Sequence, residues 1–301
     1  MVYKLYKMTF QSAHFGEGSL EESSLHFSAS RLFSALVLES IKLGKYDEFI
    51  QLAESDDFVL TDAFPYQFTP FLPKPIGYPL REKLDASRSV LELRQEAKRN
   101  KKLSFIELEA YSDYLQGESL EDFYYGRHVY MTKNNPTVDG GLYQVGVMIY
   151  ESDTSLYVIA YQDALLDELL TSLQFSGLGG KRSAGYGRFV LEIEDLPQEL
   201  EERLTRQDKG PVVLLTSALP IDEDLEQAMA GGNYLLKRCT GFAFSQSAKG
   251  NYRKQDIYTF KAGSTFAATF RGAIYDVRPV DFPHPVHHFA KPLFYRLEEV
   301  C

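Results

Sequence analysis

Residues 176–189 read SGLGGKRSAGYGRF. Five glycines fall between Gly177 and Gly187, Lys181 and Arg182 are adjacent, Arg188 follows, and the stretch holds no carboxylate. The preceding run, DALLDELLTSLQFSG, spaces Leu165, Leu166, Leu169, Leu170 and Leu173 as one face of a helix. The following run, RFVLEIEDL, alternates Phe189, Leu191 and Ile193 as a strand does. The glycines therefore connect a helix to a strand. A mononucleotide loop runs the other way, from strand into helix. The spacing also excludes that class. No glycine stands at the right distance before Lys181, Arg182 follows it instead of a serine or threonine, and Arg182 takes the sixth place of G-x-G-x-x-G counted from Gly177.

The physical content of the loop survives this exclusion. Glycine lets main-chain amides approach a phosphate closely and permits positive φ, so that successive N–H groups converge. Lys181 and Arg182 add charge, and Tyr186 offers a stacking face. Amides, cations and an aromatic ring suit the backbone of single-stranded RNA. A helix C-cap at Gly177 followed by a solvated loop accounts for the same residues.

The rest of the chain is acidic, with a formal charge of −10 over 301 residues. That charge argues against indiscriminate nucleic-acid binding but leaves room for a narrow basic groove. Residues 81–102 are a second basic stretch, with eight Lys/Arg against four Asp/Glu. No apolar run reaches the length of a membrane span, and the opening MVYKLYKMTF alternates like a strand rather than forming a signal peptide's apolar block. The two cysteines, Cys239 and Cys301, make neither a disulfide framework nor a zinc set. A soluble protein of a reducing cytoplasm is expected.

The pattern of elements divides the chain in two. VYKLYKMTFQSA reads as a first strand. SASRLFSALVLESIKLG reads as a helix with Leu32, Phe33, Leu36, Val37 and Ile41 on one face, Ser28 as its cap and Gly44 at its end. Residues 80–140 look like an insertion, and RHVYMTKNNPTVDGGLYQVGVMIYE reads as two strands around a tip at Asn134 to Gly141. PQELEERLTRQDKGP reads as a linker, after which a second series of strand, helix and strands begins. The expected fold is α+β: two ferredoxin-like (RRM-like) split βαβ domains, 1–197 with the insertion at about 80–140, and 211–301.

SGLGGKRSAGYGRF, together with MTFQSAHFG, FSASRLFSAL, FPYQFTPFLPKPIGYP and the closing VRPVDFPHPVHHFAKPLFYRLE, resembles the RAMP superfamily of CRISPR proteins. More narrowly, the chain resembles the Csm-type subunit that caps the 5′ end of the guide RNA in type III-A effector complexes. The resemblance runs along nearly the whole chain. It implies two ferredoxin-like domains with an inserted β-hairpin thumb. It also implies a structural, non-catalytic role in antiviral defence and guide RNA (crRNA) as ligand. Contacts with the large polymerase/cyclase subunit and the repeating backbone RAMP subunit follow from it, as does an indirect relation to target RNA. It implies no cofactor and no metal.

Carried onto residues, the resemblance lays the guide backbone across Gly177, Gly179, Gly180, Lys181, Arg182, Ser183, Gly185 and Gly187. It maps the thumb to the hairpin, with Thr132, Lys133 and Asn134 as contacts, and adds His14 and Phe15 after the first strand. Ser28, Ser30 and Arg31 stand at the amino end of the first helix, where free amides attract anions. Lys249, Tyr252, Arg253 and Lys254 read as a backbone clamp with one stacking platform, or as a solvated hairpin loop. Asp276, Asp281, His284, His287 and His288 have the chemistry of metal ligands, but two prolines flank His284 and no regular ligand frame is evident, so a packed interdomain segment is expected. An alternative reading makes the chain a metal-independent endoribonuclease that processes precursor guide RNA with His14 as general base. No second proton-transfer group stands at a defined spacing from it.

Overall fold

The structure, a computed structural model, describes residues 2–79, 89–121, 132–139, 143–206, 208–243, 245, 250 and 252–297, with the backbone alone described at 132–139 and 143. The chain begins with β1 (Tyr3–Phe10), β2 (Ser12–Ala13), α1 (Ala29–Lys42), α2 (Tyr46–Glu54), β3 (Phe64–Gln67) and β4 (Thr69–Pro73). Next come α3 (Val90–Lys102), β5 (Phe105–Glu107), α4 (Tyr111–Gln116), β6 (Thr132–Asp139) and β7 (Tyr143–Tyr150). β8 (Ser155–Tyr161), α5 (Ala164–Ser176) and β9 (Phe189–Asp195) close the first half.

A six-stranded antiparallel sheet has the order β5-β4-β3-β8-β1-β9. Its first strand is interior, flanked by β8 and β9, and α2 and α5 lead into β3 and β9. Successive side chains of a strand point to opposite faces. Tyr6, Met8 and Phe10 of β1 and Leu156, Val158 and Ala160 of β8 therefore join one core, built with α1, α2 and α5. Tyr3, Leu5, Tyr157 and Ile159 join a second core on the other face. That second core is completed by Val213, Leu215, Leu293 and Tyr295 of the other half. Burial on both faces is why SLYVIAY is a continuous apolar run rather than an alternating one.

Leu32, Phe33 and Leu36 of α1 are buried as expected, but Ile41 in the last turn is 55 % exposed. The expected Ser28 cap is also corrected. Its side chain makes no capping bond, and the first free amide, Ala29 N–H, donates to Asp62 Oδ1 at 2.8 Å. A tertiary carboxylate replaces the local hydroxyl.

The stretch read as a linker forms α6 (Gln198–Thr205), whose Leu200 is fully buried in the second core. Beyond it lie β10 (Val212–Leu214), α7 (Asp222–Ala230), β11 (Leu236–Cys239), β12 (Phe242–Ala243), β13 (Tyr252–Arg253), β14 (Ile257–Phe260), β15 (Thr265–Phe266), β16 (Ile274–Asp276), β17 (His287–Phe289) and β18 (Phe294–Arg296). Among the described residues these strands pair as β15-β10-β18, β11-β14, β12-β13 and β16-β17, and a third, smaller core includes Val212 and Leu214 of β10, Phe260 of β14, Phe266 of β15 and Phe270.

The β6–β7 pair joins β2 in a sheet of order β2-β7-β6. Thr132, Lys133 and Asn134 lie opposite Tyr150, Ile149 and Met148, and the last two of these lie opposite Ser12 and Ala13. Asn134 therefore belongs to the base of the hairpin rather than to its tip, because β6 runs on to Asp139. No helix among the described residues is long and apolar enough to cross a membrane.

Candidate nucleic-acid interface

The helix α5 starts on Asp163, which accepts from the amides of Leu165 and Leu166, and ends at Gly177 with φ +77°. The glycine loop that follows is knitted into the protein. Gly177 N–H donates to Leu173 O, Leu178 N–H to Gly187 O, Gly180 N–H to His14 O and Gly187 N–H to Ser12 O, at 2.7–2.9 Å. The expectation of bare amides is thus corrected at these positions. The glycines instead permit close approach of chain to chain. A Cβ on Gly187 would lie 2.1 Å from Leu178 O, and one on Gly179 would lie 2.6 Å from His14 O, both at positive φ. What remains outward is a tight turn, Arg182–Ala184, entered through Lys181 at φ 55° and left through Gly185 at φ 94°. Arg182, Ser183 and Gly185 are exposed, and Lys181 and Tyr186 are half-buried.

His14 is 5 % exposed, and its Nδ1 lies 2.7 Å from Gly146 O on β7. Its ring also backs Gly180, where a Cβ would lie 2.7 Å from His14 Cδ2. His14 therefore braces the glycine loop against the hairpin. Phe15, expected among the RNA contacts, is instead fully buried between Phe10 and Phe27. The segment that follows β2 delivers His14 to the loop and Phe15 to the core.

Arg31 continues this line. Its Nη2 donates to Gly16 O at 2.7 Å, and its guanidinium carbon lies 5.9 Å from the Phe15 ring centre. Ser30 is buried, with Oγ 3.0 Å from His288 Nδ1 on β17, while Ser28 is half-buried. The amino end of α1 thus faces the second half of the chain. Among the described residues, three nitrogens here are shielded from solvent without a hydrogen-bond partner: Arg31 Nη1, His26 Nδ1 and His288 Nε2.

The surroundings are cationic. Burial pushes the His26 imidazole down to about 4, and Lys237, Lys261 and Arg31 push in the same direction. Burial brings His288 to about 4 as well, with Lys254 and Lys237 adding to it. Burial also lowers the Arg31 guanidinium, against which Glu17 acts, and lowers the Lys254 ammonium. Sequence reasoning missed His26, Lys237, Lys261 and the role of His288. The nearest signal was HFSASR, which sets His26 three residues before the start of α1.

Of the predicted clamp, Lys249 lies outside the described residues. Tyr252 is 38 % exposed and meets Phe282 edge to face, and Arg253 is paired with Asp256 at 3.1 Å. Lys254 is one of the cations that act on His288. The histidine-rich segment packs: His287 Nε2 lies 2.9 Å from Tyr46 OH, and Phe289 is fully buried in the first core. Among the described residues no group of His, Cys, Asp and Glu is arranged to hold a metal ion.

Two family models match this chain: the RAMP superfamily over residues 58–190 and the CRISPR Csm4 C-terminal domain over residues 207–297. The chain is 58 % identical over 298 residues to the CRISPR system Cms protein Csm4 of Streptococcus thermophilus, covering 99 % of this chain and 100 % of that one. It is 33 % identical to the Csm4 protein of Mycobacterium tuberculosis over 309 residues, with 98 % of each covered. Among solved structures it resembles a chain of the Csm3-Csm4 subcomplex of the type III-A CRISPR-Cas interference complex, with a TM-score of 0.66, 18 % identity, and 98 % and 100 % of the two chains covered. A chain of a Csm1-Csm4 cassette in complex with cA3 matches with a TM-score of 0.63, 14 % identity and 99 % of each chain covered. These two likenesses concern the fold.

Proposed function

The chain belongs to the Csm4 family, within the RAMP superfamily, and on that premise we propose that it is the guide-RNA-binding structural subunit of a type III-A CRISPR interference complex. It holds the 5′ end of the guide and docks the large polymerase/cyclase subunit on one side and the repeating backbone subunit on the other. The solved assemblies of relatives with Csm1 and with Csm3 support these two partners. In this reading the halves 1–197 and 211–301 are two ferredoxin-like domains, the β6–β7 hairpin is the thumb, and the complex works in the cytoplasm.

One observation carries the reading. The exposed turn at Arg182, His14, Gly16 and Arg31 form a continuous line from the glycine loop to the cationic groups at the amino end of α1. A phosphodiester chain laid along it meets Arg182 and Ser183 outside and Arg31, His288 and Lys254 within. Thr132, Lys133 and Asn134 sit beside this line through β7 and β2. The burial of His14 and its bond to Gly146 favour this scaffold role over the general base of an endoribonuclease.

The test is guide retention by complexes assembled with the Lys181→Ala/Arg182→Ala variant. Weaker retention is expected, with a salt dependence shallower by about one to two charges. Unchanged retention across salt concentrations overturns the proposed path.

A further inference from the structure

Resting on the guide-binding reading, we infer that a phosphate group of the guide seats between Arg31 and His288 at the amino end of α1, and that the seat takes up a proton as it fills. The geometry is specific. α1 is a helix of 14 residues whose first amide is already satisfied by Asp62. Among the described residues the nitrogens here that still lack a partner are side-chain atoms, Arg31 Nη1 and His26 Nδ1 from the stretch that opens α1 and His288 Nε2 from β17. A buried donor without an acceptor is costly, and an anion with several lone pairs satisfies more than one at once.

The two ring nitrogens of His288 divide the work. Nδ1 faces Ser30 Oγ at 3.0 Å, which leaves Nε2 for an incoming ligand. A neutral ring accepts from the serine hydroxyl and offers Nε2–H. A protonated ring donates from both nitrogens and adds a full charge. Lys237 on β11 and Lys254 after β13 act on His288, and Tyr275 stands opposite it on β16. Arg31, Lys237 and Lys261 act on His26. The acids in reach are Glu17, which acts on Arg31, and the buried Asp62, which Lys237 favours in its charged form. Cys239 on β11 feels Lys237, Asp62 and Glu17. Buried, and with cations around them, the imidazoles stay neutral in the free protein. A phosphate brings negative charge to the same place and reverses that preference.

The test measures binding of a short synthetic single-stranded RNA to the full chain at pH 7.5 and 5.5, for the wild type and for His26→Gln/His288→Gln. The wild type is expected to bind about tenfold more tightly at the lower pH, and the variant, which keeps hydrogen-bonding amides but cannot titrate, to change by less than about twofold. Equal wild-type affinity at both pH values overturns the proton linkage while the guide-binding reading stands. No binding at either pH overturns both. Should the double variant fold poorly, the imidazole Cε1–H resonances of the wild type are titrated with and without inorganic phosphate. An upward move of the His288 midpoint supports the inference, and an unmoved midpoint overturns it.

Discussion

Asp62 and Ser217 meet across the two halves of the chain: Asp62 Oδ1 accepts from Ser217 N–H at 3.0 Å, and Oδ2 accepts from Ser217 Oγ–H at 2.6 Å. The same Oδ1 takes Ala29 N–H, so one buried carboxylate caps α1 and ties it to the second half. Burial pushes this carboxyl upward, and the three donors oppose the push. Asp62→Ala leaves three buried donors unsatisfied and is expected to lower stability by about 3–5 kcal/mol. Asp62→Asn keeps acceptor oxygen and is expected to lose about half of that. Thermal denaturation of the two variants checks the ordering; equal losses contradict it.

The glycines of the loop are predicted to differ in kind. Gly187→Ala drives a methyl into Leu178 O at positive φ and is expected to cost more than about 3 kcal/mol. Gly185→Ala meets open space and is expected to cost about 1–2 kcal/mol, from φ alone. Similar losses at both sites would mean that the close crossing of Leu178 and Gly187 is not what the glycine serves. Urea unfolding of each single variant measures this.

The free protein is expected to lose stability on acidification. His26 and His288 have folded values near 4, below the ordinary imidazole value of about 6.5, so the unfolded chain binds more protons between those limits. Stability is therefore full above about pH 6.5 and falls as pH drops toward 4, by about 1–2 kcal/mol for each half-shielded ring. Melting temperatures between pH 7.5 and 4.5 for the wild type and His26→Gln/His288→Gln give the measurement. The variant is expected to show the shallower decline, and a parallel decline counts against these two residues.

Phe15→Leu separates a core ring from a stacking ring. The substitution keeps apolar volume between Phe10 and Phe27 and is expected to cost about 1–2 kcal/mol of stability with RNA affinity unchanged. A ring stacked on a base would forfeit about 1–3 kcal/mol of binding on the same change. Melting and RNA binding of this one variant distinguish the two.

The parts of the fold with long periodic patterns were legible. α1, α5, β1 and β9 stand where their spacing puts them, because one core decides each apolar face. The positions that escaped depend on partners far along the chain. Ser28 has the composition of a cap, yet Asp62 takes the bond from 33 residues away. Phe15 and His14 are neighbours in MTFQSAHFG, and only the turn at β2 settles that one enters the core and the other braces the loop. The strands of the second half run from two to four residues, too few for alternation to declare itself. The surroundings of the amino end of α1 were half legible: Ser30 and Arg31 were read from the helix end, but His26, Lys237, Lys261 and His288 converge only through folding.

The sheet with a core on each face has a mechanical consequence. Tyr3, Leu5, Tyr157 and Ile159 press against Val213, Leu293 and Tyr295, so the seam between the halves is a weld rather than a hinge. A push delivered by a neighbouring subunit at one end would swing the whole body, and the far end would move with it instead of absorbing the load.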